Sequence, residues 1–402
     1  MNEHAPQLRF PEFSGNWASV TLGSIATFSK GKGISKSDID INGTTPCIRY
    51  GELYTTYETV IDEPVSRTSI PPKDLVFSLG GEVIVPASGE TAEDIATAAV
   101  VMRGGVALGG DLNIIRSNLN GMFLAPYLSG KKRMALAAMA QGNSVVHLYS
   151  SQMKSLSLGI PSRAEQDKIA YFLSAFDRSI FLLAEQISEL EEYKKGCMER
   201  IFNREIIFNS DTGSTFAAWE NVFLIDIAEI VGGGTPDSRV SAYWGGDIQW
   251  FTPTEIKSKY LLASSRTITE AGLKNSSAKI LPKGALLLSS RATIGDVGIA
   301  QRECCTNQGF QSLVVNSENC NEFWYYWIAM NKREFIKRAS GSTFLEIGKT
   351  EISKIAALRP SLSEQKMIAN FLSAIDRKIS DTQEKLEYAR NFKETLLQKM
   401  FV

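Results

Sequence analysis

One segment of this chain is written twice, and that duplication constrains the fold more than any other feature. PSRAEQDKIAYFLSAFDRSI (161–180) and PSLSEQKMIANFLSAIDRKI (360–379) stand 199 residues apart and match at 13 of 20 positions. Each opens with Pro and then Ser-x-x-Glu: Ser162/Glu165 and Ser361/Glu364. This is the pattern of a capping box, in which the Ser oxygen accepts an orphan backbone N–H and the Glu reaches back to the cap. Behind the caps, residues recur at alternating spacings of four and three. The first series is Phe176, Ile180, Leu183, Ile187, Leu190, Lys194, Cys197 and Ile201; the second is Ile375, Ile379, Thr382, Leu386, Ala389, Lys393, Leu396 and Met400. Both read as heptad seams. A helix of about 40 residues runs to roughly 60 Å, and a seam that long needs a partner. The other copy is the obvious one, so an intramolecular coiled coil is expected. Lys194 and Lys393 hold equivalent seam positions. A polar group there can fix register or carry its charge out to water, and the second reading is favoured.

The repeat reaches into the intervening regions. Trp17-x4-Leu22-x2-Ile25-Ala26 is matched by Trp219-x4-Leu224-x2-Ile227-Ala228. Beyond these openings the two regions diverge. The first carries FSKGKGISKSDI (28–39) and PCIRYGELYTTY (46–57). The second carries GGGTP (232–236), YWGGDIQWFTPTEIKSKY (243–260), LPKGALLLSSRATIGDVG (281–298) and TNQGFQSLVV (306–315). Short β-branched or apolar runs bounded by Gly, Pro, Asn and Asp predict strands joined by polar loops. Each region closes with an expected helix, 122–140 and 321–339, and a polar turn. The predicted class is mixed α+β, with two globular α/β domains alternating with two long helices. The expected boundaries are an arm and first domain at 1–157, a helix and linker at 158–210, a second domain at 211–357 and a helix at 358–402.

Composition excludes more than it assigns. A 44% hydrophobic content supports real cores, and no run of about 18 apolar residues predicts a membrane span. The opening MNEHAPQLRFPEF lacks a signal peptide's apolar core. Five Cys without metal or disulfide spacing, including adjacent Cys304 and Cys305, fit reduced thiols and a cytoplasmic location. Two His, His4 and His147, leave no basis for a His triad or a zinc site. Net charge is −1, so any nucleic-acid face must come from segregated charges. Gly232–Gly234 is no dinucleotide fingerprint, and Gly348-Lys349-Thr350 lacks the earlier Gly of a P-loop. No signature of an amino-methyltransferase is present. Asp237 with Glu255 and Lys257 satisfies a loose metal-dependent nuclease pattern, two carboxylates for Mg²⁺ and a Lys for the attacking water. Thr-Pro-Asp after a Gly run is also ordinary turn chemistry.

Two divergent domains, each followed by P-S-x-x-E-Q-x-x-I-A-x-F-L-S-A-x-D-R-x-I, resemble the specificity subunit of type I restriction-modification enzymes. LRFPEF-x3-W (8–17), GGGTP, YWGGDIQW, LPKGALLLSSRATIG and TNQGF look like further signatures of that family. The first domain departs from it, having Ser29–Gly33 and Gly109–Asn113 in place of GGTP and TNQGF. The resemblance implies a non-catalytic subunit in which each domain reads one half of a bipartite DNA site. The helix pair would set the gap and dock two adenine-N6 methyltransferase subunits, which bring S-adenosylmethionine. Motor-endonuclease subunits would add ATP- and Mg²⁺-dependent cleavage, so no cofactor or metal is expected on this chain. Methylation of opposite strands asks for an approximate two-fold relation, so the helices are expected to pair antiparallel.

Bases are read by Arg, Lys, Asn, Gln, Ser and Thr, and phosphates are held by Lys, Arg and amides. The chosen contacts are Lys30, Lys32, Lys36, Arg49 and Tyr50 in the first domain, with Thr235, Lys257, Lys259, Arg291 and Thr293 in the second. Trp250 and Phe310 read as core. Asn143/Ser144 and Ser342/Thr343 are either phosphate positions or caps. Two competing readings are a self-sufficient nuclease using Asp237, Glu255 and Lys257, and a protein-binding coiled-coil adaptor.

Overall fold

The computed structural model describes residues 5–142, 145–210, 213–341 and 345–402. The pairs Asn143/Ser144 and Ser342/Thr343, and His4, lie outside them. The chain divides into two compact units, 1–185 with 383–402 and 186–382. Each unit therefore holds one globular domain, half of the long helix Arg163–Phe202 and half of the long helix Leu362–Lys399. Among the described residues no helix is long and apolar enough to cross a membrane.

In the first unit a five-stranded sheet runs in the order Ala26–Lys30, Leu112–Ser117, Glu82–Pro86, Ala99–Val101, Val60–Ile61. Its inner strands Glu82–Pro86 and Ala99–Val101 are buried along their length because both faces are covered, whereas the edge strand Ala26–Lys30 is part-exposed. Ile115, Val83, Val85 and Val100 join the core that also takes up Ile169, Leu173, Leu396 and Met400 of the long helices. The alternate residues Ile114, Ile84, Ala99 and Val101 point the other way, into a separate outer core. A second sheet, Ser66–Thr68, Thr45–Ile48, Gly104–Leu108, Phe77–Leu79, completes the domain.

The second unit repeats this plan on different residues. Its five strands are Ala228–Gly232, Gln311–Val315, Leu286–Leu288, Val297–Ala300 and Tyr260–Leu261, in that order. Leu286, Leu288 and Leu313 face the core shared with Ile201, Ile368, Leu372, Ile375 and Ile379, while Leu287 and Ala300 face an outer core. The smaller sheet is Arg266–Ile268, Trp244–Phe251, Cys304–Thr306. Divergent sequences thus carry one topology. Trp250 and Phe310 are buried, as read.

The expected helices 122–140 and 321–339 are each broken. Gly121–Ser129 is followed by Arg133–Met139, and Asn321–Met330 by Lys332–Lys337. Gly130, at φ −99° and ψ −92°, leaves the helical region and ends the first segment.

Within each unit the helix halves pair antiparallel. Asp177 meets Lys393 and Phe176 meets Phe392 in the first, and Lys194 meets Asp376 at 2.5 Å in the second. Every residue of the two seam series is buried or half-buried. Both lysines are therefore ion-paired inside the seam, and the favoured reading, in which they carry their charge out to water, is corrected. The two pairs are the same pair in the repeat: Asp177 and Asp376 stand 199 residues apart, as do Lys194 and Lys393.

The capping boxes are corrected in part. Glu165 and Glu364 donate their backbone N–H to Ser162 and Ser361 at 3.3 Å, as a cap requires. The Glu165 carboxylate does not reach back. It accepts from Arg9 at 2.7 and 2.8 Å and from the Trp17 indole at 3.2 Å, tying the N-terminal arm to the helix start. The neighbouring Gln is also a clamp. Gln166 bonds Pro161 O and the Asn120 N–H, and Gln365 bonds Pro360 O and the Cys320 N–H, so each docks the long helix on the start of the preceding one.

Candidate nucleic-acid interface

In the second domain a hub at Thr306–Gly309 gathers three loops. Gly234 N–H donates to Thr306 O at 2.8 Å, Asn307 N–H to Phe251 O at 3.0 Å, and Ser290 N–H to Gly309 O at 2.8 Å. The approach of the first loop is so close that a Cβ on Gly233 would lie 2.0 Å from Asn307 O, and one on Gly234 2.3 Å from Ala278 N. This steric exclusion, not backbone conformation, is what the Gly run provides. On the hub, the Thr235 hydroxyl bonds the exposed Gln308 side chain. The third loop is strained at its tip: Ala292 sits at φ +56°, a conformation that costs an L residue energy and clusters at functional sites. Beside it, Arg291 reaches Glu346 at 2.9 Å and Thr293 contacts the Ser289 hydroxyl at 3.3 Å.

The first domain builds the same hub from Leu108–Asp111. Lys32 N–H donates to Leu108 O at 3.0 Å, Gly109 N–H to Ile48 O at 2.9 Å, and Ala87 N–H to Asp111 O at 2.8 Å. The segments 29–33 and 109–113 thus stand where GGGTP and TNQGF stand in the second domain. Both domains also fix their second loop with a carboxylate. Glu52 accepts from Arg49 N–H at 2.9 Å and the Ser66 hydroxyl at 2.5 Å. Glu255 accepts from Thr252 N–H at 2.6 Å and Ser265 N–H at 2.7 Å. Burial would raise the Glu255 pKa, but these hydrogen bonds outweigh it and hold the carboxyl below its ordinary value.

Most of the chosen residues fall on these loops. Lys30 and Lys32 flank the first loop of their domain, and Lys36 lies a few residues on in an exposed turn. Arg49 and Tyr50 occupy the second loop. Arg49 is held by Glu52 at 3.0 Å, and Tyr50 packs half-buried on the outer core. Thr235 lies on the first loop of the second domain, Arg291 and Thr293 on the third, and Lys257 is exposed just past the second.

Lys259 is the exception, and its choice as a DNA contact is corrected. Its ammonium is buried, 2.9 Å from the Tyr326 hydroxyl, 2.8 Å from Ser373, 3.4 Å from Glu322 and 3.8 Å from Asp376. Burial lowers its pKa, against the pull of Glu322 and Asp376. It fastens the second domain to the helix that carries Asp376.

Both carboxylates of the nuclease pattern are engaged elsewhere. Asp237 is exposed and forms a two-point pair with Arg239 at 3.0 and 2.8 Å, and Glu255 is committed to its turn. Gln308, which stands exposed on the hub beside Thr235, is not among the chosen contacts, although TNQGF places an amide side chain next to a Gly; Asn307 is half-buried and accepts the Gly309 N–H at 2.9 Å.

The chain matches the model of the type I restriction modification DNA specificity domain twice, at residues 14–192 and 217–388. It is 35% identical over 198 residues to the MjaIX specificity subunit of Methanocaldococcus jannaschii, covering 48% of this chain and 46% of that one. The chain thus spans about half the length of that relative. The MjaVIII specificity subunit of the same organism aligns at 22% identity over 97% of this chain and 92% of its own length. Among solved structures, an S subunit of a type I restriction-modification system from M. genitalium superposes with a TM-score of 0.62, at 16% identity over 99% of both chains. A chain from a type I R-M system structure gives 0.61 at 19% identity, over 96% of this chain and 97% of that one. The duplicated domain, the paired helices and the twofold match to the family model agree: the chain belongs to the type I restriction-modification DNA specificity family.

Proposed function

We propose that this chain is the sequence-recognition subunit of a type I restriction-modification complex and catalyses nothing itself. Each hub with its three loops reads one half of a split duplex target, and the helix pair sets the gap between the halves. Two adenine-N6 methyltransferase subunits dock on the duplicated frame, one for each half-site, and motor-endonuclease subunits join through them. S-adenosylmethionine, ATP and Mg²⁺ belong to those partners, and the assembly works in the cytoplasm. The target adenine must leave the base stack to be methylated, so base flipping falls to the methyltransferase.

The observation that carries this reading is the repeated frame. Two domains of one topology, with divergent loop chemistry, are mounted on helices whose Asp–Lys pairs repeat at the same offset. A constant mount with variable readers suits a protein that recognises two unrelated half-sites. The test is co-expression with the cognate methyltransferase, followed by mapping of methylated adenines across a plasmid library. One split motif, modified on both strands, is expected, and replacing residues 20–150 by another family member's domain should change one half only. A complex that forms and methylates without a split motif would sink the reading.

A further inference from the structure

The most unusual free cation outside the loops already described is Arg266. It opens the edge strand Arg266–Ile268 of the smaller sheet, directly across from Trp250. Its guanidinium lies 3.6 Å over the Trp244 ring centroid and 5.4 Å from that of Trp250. The two indoles meet edge to face at 5.0 Å. Both are fixed in turn, Trp250 donating to Gly234 O at 2.9 Å and Trp244 to Asp237 O at 3.2 Å. The platform is therefore continuous with the GGGTP loop. Arg266 itself is exposed, and among the described residues its side chain has neither a carboxylate nor a hydrogen-bond partner.

The first domain supplies a control. Arg67 lies in the corresponding strand Ser66–Thr68, across from Pro46 and one ladder position from the place of Arg266. There the guanidinium is spent on backbone, donating to Gly43 O at 2.6 Å and Thr44 O at 2.8 Å. Arg266, by contrast, is cradled on aromatics, and among the described residues its donors have no partner.

We propose that Arg266 is a specificity-determining residue of the second domain, reading one guanine in its half-site; this rests on the DNA-recognition reading above. Stacking covers the face of the guanidinium and leaves only its edge donors, coplanar and fixed in direction. Such an edge matches the O6 and N7 acceptors of guanine in the major groove. A phosphate can accept the same fork through two of its oxygens, so the test separates the two by the salt slope and by the position at which preference is lost.

The test uses the complete complex with its methyltransferase and a randomised duplex library, comparing wild type with Arg266→Lys, Arg266→Ala and Arg67→Lys. Arg266→Lys and Arg266→Ala should each lose preference for guanine at one position of one half-site, by roughly 5- to 150-fold. The other half-site should be unchanged, which also shows that the variant complex is folded. Arg67→Lys should lower the melting temperature and leave the selected motif intact. A uniform loss of affinity in the Arg266 variants, with a salt slope reduced by about one, would mark a phosphate contact and overturn the proposal. An unaltered motif and affinity would overturn it too. A wild-type complex that selects no motif would overturn both this inference and the function it rests on.

Discussion

The two Asp–Lys pairs of the helix seam are identical in sequence, yet they should respond differently to the same substitution. Lys393 and Asp177 have side-chain exposures of 10% and 24%, and Lys194 and Asp376 of 24% and 26%. Removing one partner of a buried pair costs about 3–5 kcal/mol, and of an exposed pair at most about 1. Lys393→Met lies between, at about 2–3 kcal/mol, because no second cation is bonded to Asp177. It would leave a half-buried carboxylate with Glu58 as its neighbouring charge. Lys194→Met leaves Asp376 with the Tyr326 hydroxyl and with Lys259 at 3.8 Å, so its cost should be about 1 kcal/mol or less. At roughly 2–4 °C per kcal/mol for a body of this size, Lys393→Met lowers Tm by roughly 5–10 °C and Lys194→Met by only a few degrees. The difference has a pH signature. Burial holds the Asp177 carboxyl above its ordinary value, with Lys393 pulling it back. An acid whose pKa is raised by folding takes up its proton in the folded state first, so stability increases as pH falls through that value and declines as it rises. Without Lys393 the carboxyl rises further, and the deficit shrinks on the acid side as Asp177 becomes neutral. The double variant Asp177→Leu/Lys393→Met should recover most of the loss, since a hydrophobic pair of similar volume replaces a buried ion pair at little cost. Thermal unfolding followed by helical circular dichroism measures all of this. Equal losses for Lys393→Met and Lys194→Met, or a deficit that grows toward acid pH, would refute the reasoning.

Further outcomes follow from the repeat. Glu364 lacks the arginine that its twin Glu165 has: burial raises its pKa, the Trp219 indole and Arg204 only partly offset this, and one carboxylate oxygen has no partner. Phe208 meets Phe371 as Phe10 meets Phe172, so exposed Ile207 stands where Arg9 stands, and Ile207→Arg should raise Tm by a few degrees while Arg9→Ala lowers it by more. In the wild type the same raised carboxyl makes stability decline as pH rises through its value, a slope that Ile207→Arg should flatten in urea titrations at several pH values. Lys259→Met should destabilise the second unit by about 2 kcal/mol with no change in half-site preference or salt slope in a duplex-binding assay, the reverse of what a DNA contact would show. Glu255→Ala removes the cap of the 252–255 turn and should weaken binding to the second half-site by loosening its loop, whereas Asp237→Ala, with its exposed pair, should be silent in the same titration.

What the chain announces before folding is its helices, because capping and heptad spacing are local signals that survive without knowledge of partners. The ion pairs show where local signals end. Lys194 and Lys393 are visible as polar members of an apolar seam, but their partners belong to neither seam series and meet them only under an antiparallel register. Lys259 fails for the same reason on a larger scale. Flanked by Ser258 and Tyr260 in a polar stretch, it reads as surface, and only contacts with Glu322, Ser373 and Asp376, far along the chain, bury it. The capping-box Glu was misread because Arg9 and Trp17 compete successfully for its carboxylate. Sheet order was not legible either, since strands buried on both faces lose the alternation that would reveal which side faces which core.

On the proposed function, the parts that escaped the sequence also explain how the target can change while the fold does not. Glu52 and Glu255 do one job in the two domains, bonding the N–H three residues back and a serine across the loop. The hubs at 108–111 and 306–309 each receive three loops through the same three backbone hydrogen bonds, whatever side chains those loops carry. Backbone bonds and buried carboxylates thus hold the frame, and neither depends on the identity of the exposed residues. Arg67 and Arg266 show the consequence on corresponding strands, where one arginine is bonded to the frame and the other stacks on two indoles. Substitution at exposed positions such as 32, 257, 266 or 308 leaves every one of those frame contacts in place, so recognition can drift while the mount on the helices stays constant.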